Sequence, residues 1–120
     1  MIREINILDA KDIQEICKDE LGYNVDIKTV KTQIEKLSID YEHHIIAVYE
    51  DKKTSKVVGF VHAEMYESLY SDIGLNILGL AVNSNFQGKG IGKKLMVFVE
   101  EYALNNNINF IRLNSGSHRS

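Results

Sequence analysis

Three of the chain's eight glycines stand at positions 88, 90 and 92, just where Leu95, Phe98, Val99 and Tyr102 set a helical spacing. Each glycine costs about 1 kcal/mol relative to alanine inside a helix, so helix stability did not select them. Lys89, Lys93 and Lys94 add positive charge at the helix end whose dipole is already positive, which is unfavourable unless an anion sits there. One explanation covers both features. A backbone stripped of Cβ atoms closes around a phosphate with its free N–H groups, and the lysines and the dipole stabilise the bound charge. The plainer reading is a tight strand-to-helix turn that is rich in glycine and lysine.

Spacing narrows the phosphate reading. A P-loop needs four residues between its first glycine and a Gly-Lys-Ser/Thr ending, and neither that gap nor a hydroxyl residue after Lys93 is present. A dinucleotide fingerprint needs glycine where Lys93 stands.

The elements that must position this loop follow from periodicity. Ile2, Ile5 and Ile7 form a β-compatible run, and Asp9 is placed to cap a helix carrying Ile13, Ile16, Cys17 and Leu21 on one face until Gly22 ends it. Asp26 is placed to cap a second helix with Ile27, Val30, Ile34 and Leu37 inward. Runs at 43–49 and 57–66 around the polar turn 51–56 predict a hairpin, and the nearly all-apolar run Leu75 to Val82 predicts a mid-sheet strand covered on both faces. After the loop and its helix, Ile108 to Leu113 reads as a last strand, joined to Leu75–Val82 by a right-handed parallel crossover. No repeat or linker interrupts the order, so residues 1–120 read as a single α/β domain.

The run from Leu80 to Leu95, LAVNSNFQGKGIGKKL, resembles the acetyl-CoA motif of the GNAT acetyltransferases: Gln/Arg-x-x-Gly-x-Gly/Ala after a strand ending Leu-x-Val, met here by Gln87, Gly90 and Gly92. Many members carry proline shortly after that valine, whereas this chain has Ser84 and no proline at all. The resemblance implies a GNAT-like mixed sheet with helices on both faces. It assigns the coenzyme's diphosphate to the backbone of Gln87, Gly88, Lys89, Gly90, Ile91 and Gly92, with Lys93 available to assist. The pantetheine arm falls to the main chain of Leu80, Ala81 and Val82, and the amide of Leu80 or Val82 would polarise the thioester carbonyl. The family fold continues with another helix and two strands, so this form is expected to be truncated after its fifth strand. The family often places a thiolate-protonating tyrosine in that later helix. Weak or absent turnover with persisting coenzyme binding is therefore expected, unless Tyr66 or Tyr70 supplies the proton.

Acetyl transfer to an amine needs the neutral amine, whereas a lysine-like amine with a pKa near ~10.4 is almost wholly protonated at neutral pH. A base or water chain must remove the proton. His62 and Glu64 on the third strand and Asp72 in the following loop are the candidates, each with a plain reading as an exposed polar residue; Glu64 is preferred. Tyr66, Glu67, Tyr70 and Asp72 would either suit a cationic amine as part of an acceptor wall or form a polar loop with buried rings. His43 and His44 point to opposite faces of a strand and cannot share a metal, His118 lies in the tail, and no metal site is expected. Cys17, alone and without C-x-x-C spacing, reads as a small buried residue.

A net charge of −3 gives no general attraction to nucleic acid or anionic lipid, and no apolar run approaches a membrane span. With no secretory h-region at the start, a cytoplasmic protein is expected. The leading reading is an N-acetyltransferase that uses acetyl-CoA and a small-molecule or peptide amine. A non-catalytic acyl-CoA-binding or regulatory module is the alternative, and a nucleotide-binding protein of another class is a third. The open edge of the strand 108–113 is a template for pairing with a second copy, so a homodimer is expected there.

Overall fold

The computed structural model describes residues 1–113; the polar tail with Gly116 and His118 lies outside the described residues. The element order is β1 (Ile2–Glu4), α1 (Ala10–Leu21), α2 (Ile27–Ser38), β2 (His44–Glu50), β3 (Val57–Ser68), β4 (Ser71–Val82), α3 (Ile91–Asn105) and β5 (Phe110–Leu113). The strands form one five-stranded sheet in sequence order. The first four pair antiparallel and β5 runs parallel to β4, so the sheet is mixed, as the hairpin and crossover patterns predict.

Both helical predictions in the first third hold, with one changed cap. Gly22 takes φ 76° and ends α1, and the Asp26 carboxylate accepts the Thr29 N–H at 2.8 Å to start α2. Asp9 does not cap α1 with its side chain. Its buried carboxylate accepts from the Asn6 N–H and from Arg3, whose Nε also reaches Glu50 at 2.7 Å. A buried carboxylate needs a cation more than an exposed amide needs a cap. Asn6 instead caps the 3-10 turn Ile7–Asp9.

Two cores flank the sheet. On one face α1 and α2 bring Ile13, Ile16, Val30 and Ile34 onto Val48, Phe60 and Ala81. On the other, α3 brings Leu95, Val99 and Ala103 onto Val61, Ala63, Leu75 and Ile77. Helices on both faces are thus established. The third strand's Gly59 lies beneath the start of α3, where a Cβ would meet the Ala81 carbonyl oxygen at 3.2 Å and the Ile91 and Leu95 side chains at 3.3 Å.

β4 is longer than its apolar run. It begins at Ser71 and forms with β3 a long hairpin closed at Ser68–Ser71, so Tyr66, Glu67 and Asp72 are strand residues and not part of a loop. The sequence reading of a loop at 66–72 is corrected by that pairing, and only Leu69 and Tyr70 form the tip, both fully out in solvent. Midway along, the register steps from His62↔Gly79 to Ala63↔Ile77, leaving Leu78 as the extra residue of a β-bulge. Leu78 is accordingly exposed, while Ile77 and Leu75 enter the α3 core.

Candidate functional site

β4 ends at Val82 in a sequence of hydrogen bonds that presents the glycine loop. Asn83 accepts the Asn85 N–H with its side chain, opening a 3-10 turn over Ser84–Phe86. Gln87 Nε2 then turns back to donate to the Val82 carbonyl at 3.0 Å. From α1, Glu20 accepts the Ser84 N–H at 2.9 Å and lies 3.4 Å from Gln87 Nε2, which ties the loop to the opposite layer. Glu20 carries no motif, and nothing in the sequence pointed to it.

Gly88 and Gly90 have φ 80° and 81°, a region that costs an L-residue about 1–2 kcal/mol. Added Cβ atoms there would meet nothing within 4 Å, so backbone conformation demands glycine and the space in front stays open. α3 starts at Ile91 with Gly90 as its cap residue, and the first intrahelical bond runs from the Lys94 N–H to the Gly90 carbonyl at 3.0 Å. The N–H groups just before Lys94 have no partner within the helix. They face a groove of about 360 Å³ lined by Val82, Phe86, Gln87, Gly88, Gly90, Ile91, Gly92 and Lys93, room enough for a diphosphate. Its donors, open glycines and helix N-terminus fit such a group. The lysines divide: Lys93 lines the groove, Lys89 Nζ lies 5.2 Å from the Phe86 ring, and Lys94 Nζ lies 5.7 Å from the Tyr49 ring.

The strand leading into the loop also presents free backbone. Asn83 donates to the Val58 carbonyl at 2.7 Å, which fixes the alternation of the β3–β4 ladder. Ala81 and Gly79 then bond across to β3, while the N–H and C=O of Leu80 and Val82 point away from it. β5 pairs with β4 only over Gly74–Ile77. Among the described residues, the Leu80 and Val82 amides therefore face an uncovered edge.

Farther from the loop, the α1/α2 face of the sheet carries a polar row drawn from four strands. His44 lies opposite Glu64, Glu64 opposite Asn76, and Asn76 opposite Arg112. The Leu78 bulge makes this row: were Leu78 paired regularly with Ala63, Glu64 would face Ile77 and Asn76 would turn into the α3 core. Glu64 accepts from Asn76 Nδ2 at 3.0 Å. Asn76 Oδ1 is buried with no partner among the described residues, and a flipped amide would set that oxygen against the carboxylate. Beside the row, His62 Nε2 lies 3.0 Å from His44 Nδ1. Burial, and then the neighbouring His44, push His62 down to about 4, so its imidazole is neutral near pH 7. Tyr66 follows on the same face, with the Arg112 guanidinium over its ring, 4.7 Å from the centroid, and Phe110 edge-on at 6.1 Å.

The two expected parts of the site thus occupy different stretches of β4. From the amide of Leu80 to the register position of Glu64 is three residues along β3, about 10 Å at strand rise. His62 and Glu64 share one face of β3, while Asp72 is carried to the exposed hairpin end. Asn76 and Arg112 were not singled out by type or spacing, because only strand register brings them to Glu64. Cys17 is half-buried, and burial raises its thiol pKa, so it is not an activated nucleophile. His43 bonds Asp40 at 2.8 Å on the exposed side, and no group of three metal-ligating side chains occurs among the described residues.

The family model described as the acetyltransferase (GNAT) family matches residues 10–120. Among solved structures, glucosamine-6-phosphate N-acetyltransferase from Arabidopsis thaliana is similar over 100% of this chain and 92% of its own, with 20% identity and a TM-score of 0.83. A GNAT family acetyltransferase from Staphylococcus aureus is similar over 100% and 91%, with 25% identity and a TM-score of 0.79. A Bacillus halodurans transcriptional regulator is similar over 99% and 83%, at 18% identity and a TM-score of 0.81. Comparison with curated protein sequences gives no match.

Proposed function

Because the chain belongs to the acetyltransferase (GNAT) family, we propose that it transfers an acetyl group from acetyl-CoA to a primary amine. The observation that carries this reading is the conjunction of a glycine loop with open amides and a preceding strand whose Leu80 and Val82 amides face an uncovered edge. The backbone of 87–92 holds the diphosphate with help from Lys93, and the main chain of Leu80, Ala81 and Val82 aligns the pantetheine arm. The amide of Leu80 or Val82 donates to the thioester carbonyl oxygen, where negative charge develops. Glu64 takes the amine proton; its distance along the strand calls for an intervening water. The amine nitrogen bonds to the carbonyl carbon, the C–S bond breaks, and the coenzyme leaves as its thiol once the thiolate is protonated.

Small-molecule and peptide amines are both within the family's range. Among the described residues no helix is long and apolar enough to cross a membrane. Dependence on acetyl-CoA fits a cytoplasmic protein. β5 pairs on one side only among the described residues, which supports association of two copies along that edge. A concentration series in sedimentation tests this, and a monomer throughout rejects it.

Thiol release from acetyl-CoA, followed across a panel of amines and peptides, tests the reaction. Amine-dependent release is expected. Tight acetyl-CoA binding without release from any acceptor would make the protein a coenzyme-binding module instead.

A further inference from the structure

The polar row is more than a base and its neighbour. Asn76 donates from Nδ2 to Glu64 at 3.0 Å while its Oδ1 is buried without a partner among the described residues, so this side chain fixes the carboxylate from within the sheet face. The carboxylate of Glu64, oriented by that bond, is the acceptor the row presents, and an amine or ammonium is the donor that suits it. His62, held neutral by burial, adds no competing positive charge beside them.

One strand farther along the same row stands a cation. Arg112 lies opposite Asn76, sits over the Tyr66 ring and meets no carboxylate among the described residues. A guanidinium that meets no carboxylate keeps its N–H groups available as a fork, the geometry that grips a carboxylate or phosphate. Gly74 opens the floor on this side: its missing Cβ is the space into which the Phe110 ring folds, and that ring in turn steadies Tyr66 beneath the guanidinium. Tyr66, beneath the guanidinium, stands two residues from Glu64 on the same face of β3, so the row offers an acceptor for an amine and a fork for an oxyanion at a spacing of about 7 Å.

We propose that Glu64, oriented by Asn76, and Arg112 together select an acceptor that carries an oxyanion a few bonds from its amine, with the nitrogen on the Glu64 side, joined to its carboxylate through the intervening water, and the carboxylate or phosphate held by Arg112. This rests on the transferase reading for the fate of the amine, although the binding itself does not require turnover.

The test uses matched pairs: β-alanine against its amide, and 2-aminoethyl phosphate against ethanolamine, each with acetyl-CoA and the full chain. A kcat/KM about tenfold to a hundredfold higher for the anionic member of at least one pair is expected. The two pairs tell carboxylate from phosphate. In Arg112→Ala that ratio falls to about one, Arg112→Lys keeps part of it, and Asn76→Ala raises KM for both members of a pair. Equal use of charged and neutral members by the parent protein, or a ratio that survives Arg112→Ala, overturns the proposal while leaving the transferase reading intact. If no amine supports thiol release, the transferase reading falls and calorimetric titration of the same pairs in the presence of coenzyme decides the proposal. There, a preference for the anionic member that Arg112→Ala abolishes upholds it, and no preference overturns it.

Discussion

The loop after β4 and the polar row across β2 to β5 are built in opposite ways. The loop is contiguous: Val82 to Lys94 supplies the strand end, the turn, both left-handed glycines and the helix start. The row draws His44, Glu64, Asn76 and Arg112 from four strands, and no two of them are near in sequence. Backbone amides do the work in the first, side chains in the second. A site made of main chain tolerates almost any side chain that leaves φ free, whereas a site made of cross-strand neighbours depends on every register between them.

Inserting one residue between His62 and Ala63, which gives Leu78 a partner and closes the bulge, breaks that contrast most forcefully. Without the bulge, Asn76 turns into the α3 core and Ile77 turns out, or the whole hairpin end shifts register. Exposing Ile77 and burying an unpaired amide cost about 4 kcal/mol or more together, a large part of a small domain's stability. An insertion variant that melts within a few degrees of the parent would show that the bulge does not set the faces.

Next in size, Glu64→Gln is expected to lower turnover about a hundredfold near neutral pH and to recover as pH rises and the amine deprotonates unaided. An unchanged pH–rate profile removes Glu64 from proton transfer. The loop's counterpart is Gly90→Val, which forces a β-branched residue to φ 81° and fills the approach to the free amides. Acetyl-CoA affinity should fall by roughly thirtyfold to a hundredfold, about 2–3 kcal/mol, read by calorimetry. Parental affinity in a folded variant would reject the loop as the coenzyme site.

The smallest effect concerns His62. Its folded pKa of about 4 lies below the ordinary histidine value, so the unfolded chain takes up the proton first. The stability due to the neutral buried ring is present above pH ~6.5 and is lost as pH falls toward ~4, with no further loss below. Allowing for partial exposure, the loss is about 2 kcal/mol. Denaturant titrations at pH 7 and pH 4 should show that difference in the parent and less of it in His62→Gln; equal losses in the two would sink the assignment.

The same contrast explains what could be read from the sequence. Gly88, Gly90 and the lysines are anomalous against a helix start, and that anomaly is local, so the loop was visible in one dimension. Gly22 and Asp26 were visible for the same reason. Asp9 misled because the signal for a cap is local, while its partner Arg3 reaches it through the sheet. Strict alternation cannot locate a bulge, so Asn76 looked like a stray polar residue in an apolar strand. His44 was weighed against its sequence neighbour His43, yet its partner is His62 on the next strand.

Gly59 sets a height. The coenzyme proposed for this fold must be gripped at once by amides at the edge of β4 and by amides at the tip of α3. The separation between those two sets of donors is the thickness of the contact beneath the helix start, where a single methyl would meet a carbonyl oxygen and two side chains at 3.2–3.3 Å. Such a methyl would act as a shim, lifting the tip of α3 by a few tenths of an ångström while β4 stayed put. A residue that touches no ligand would then detune the fit of a long, flexible one.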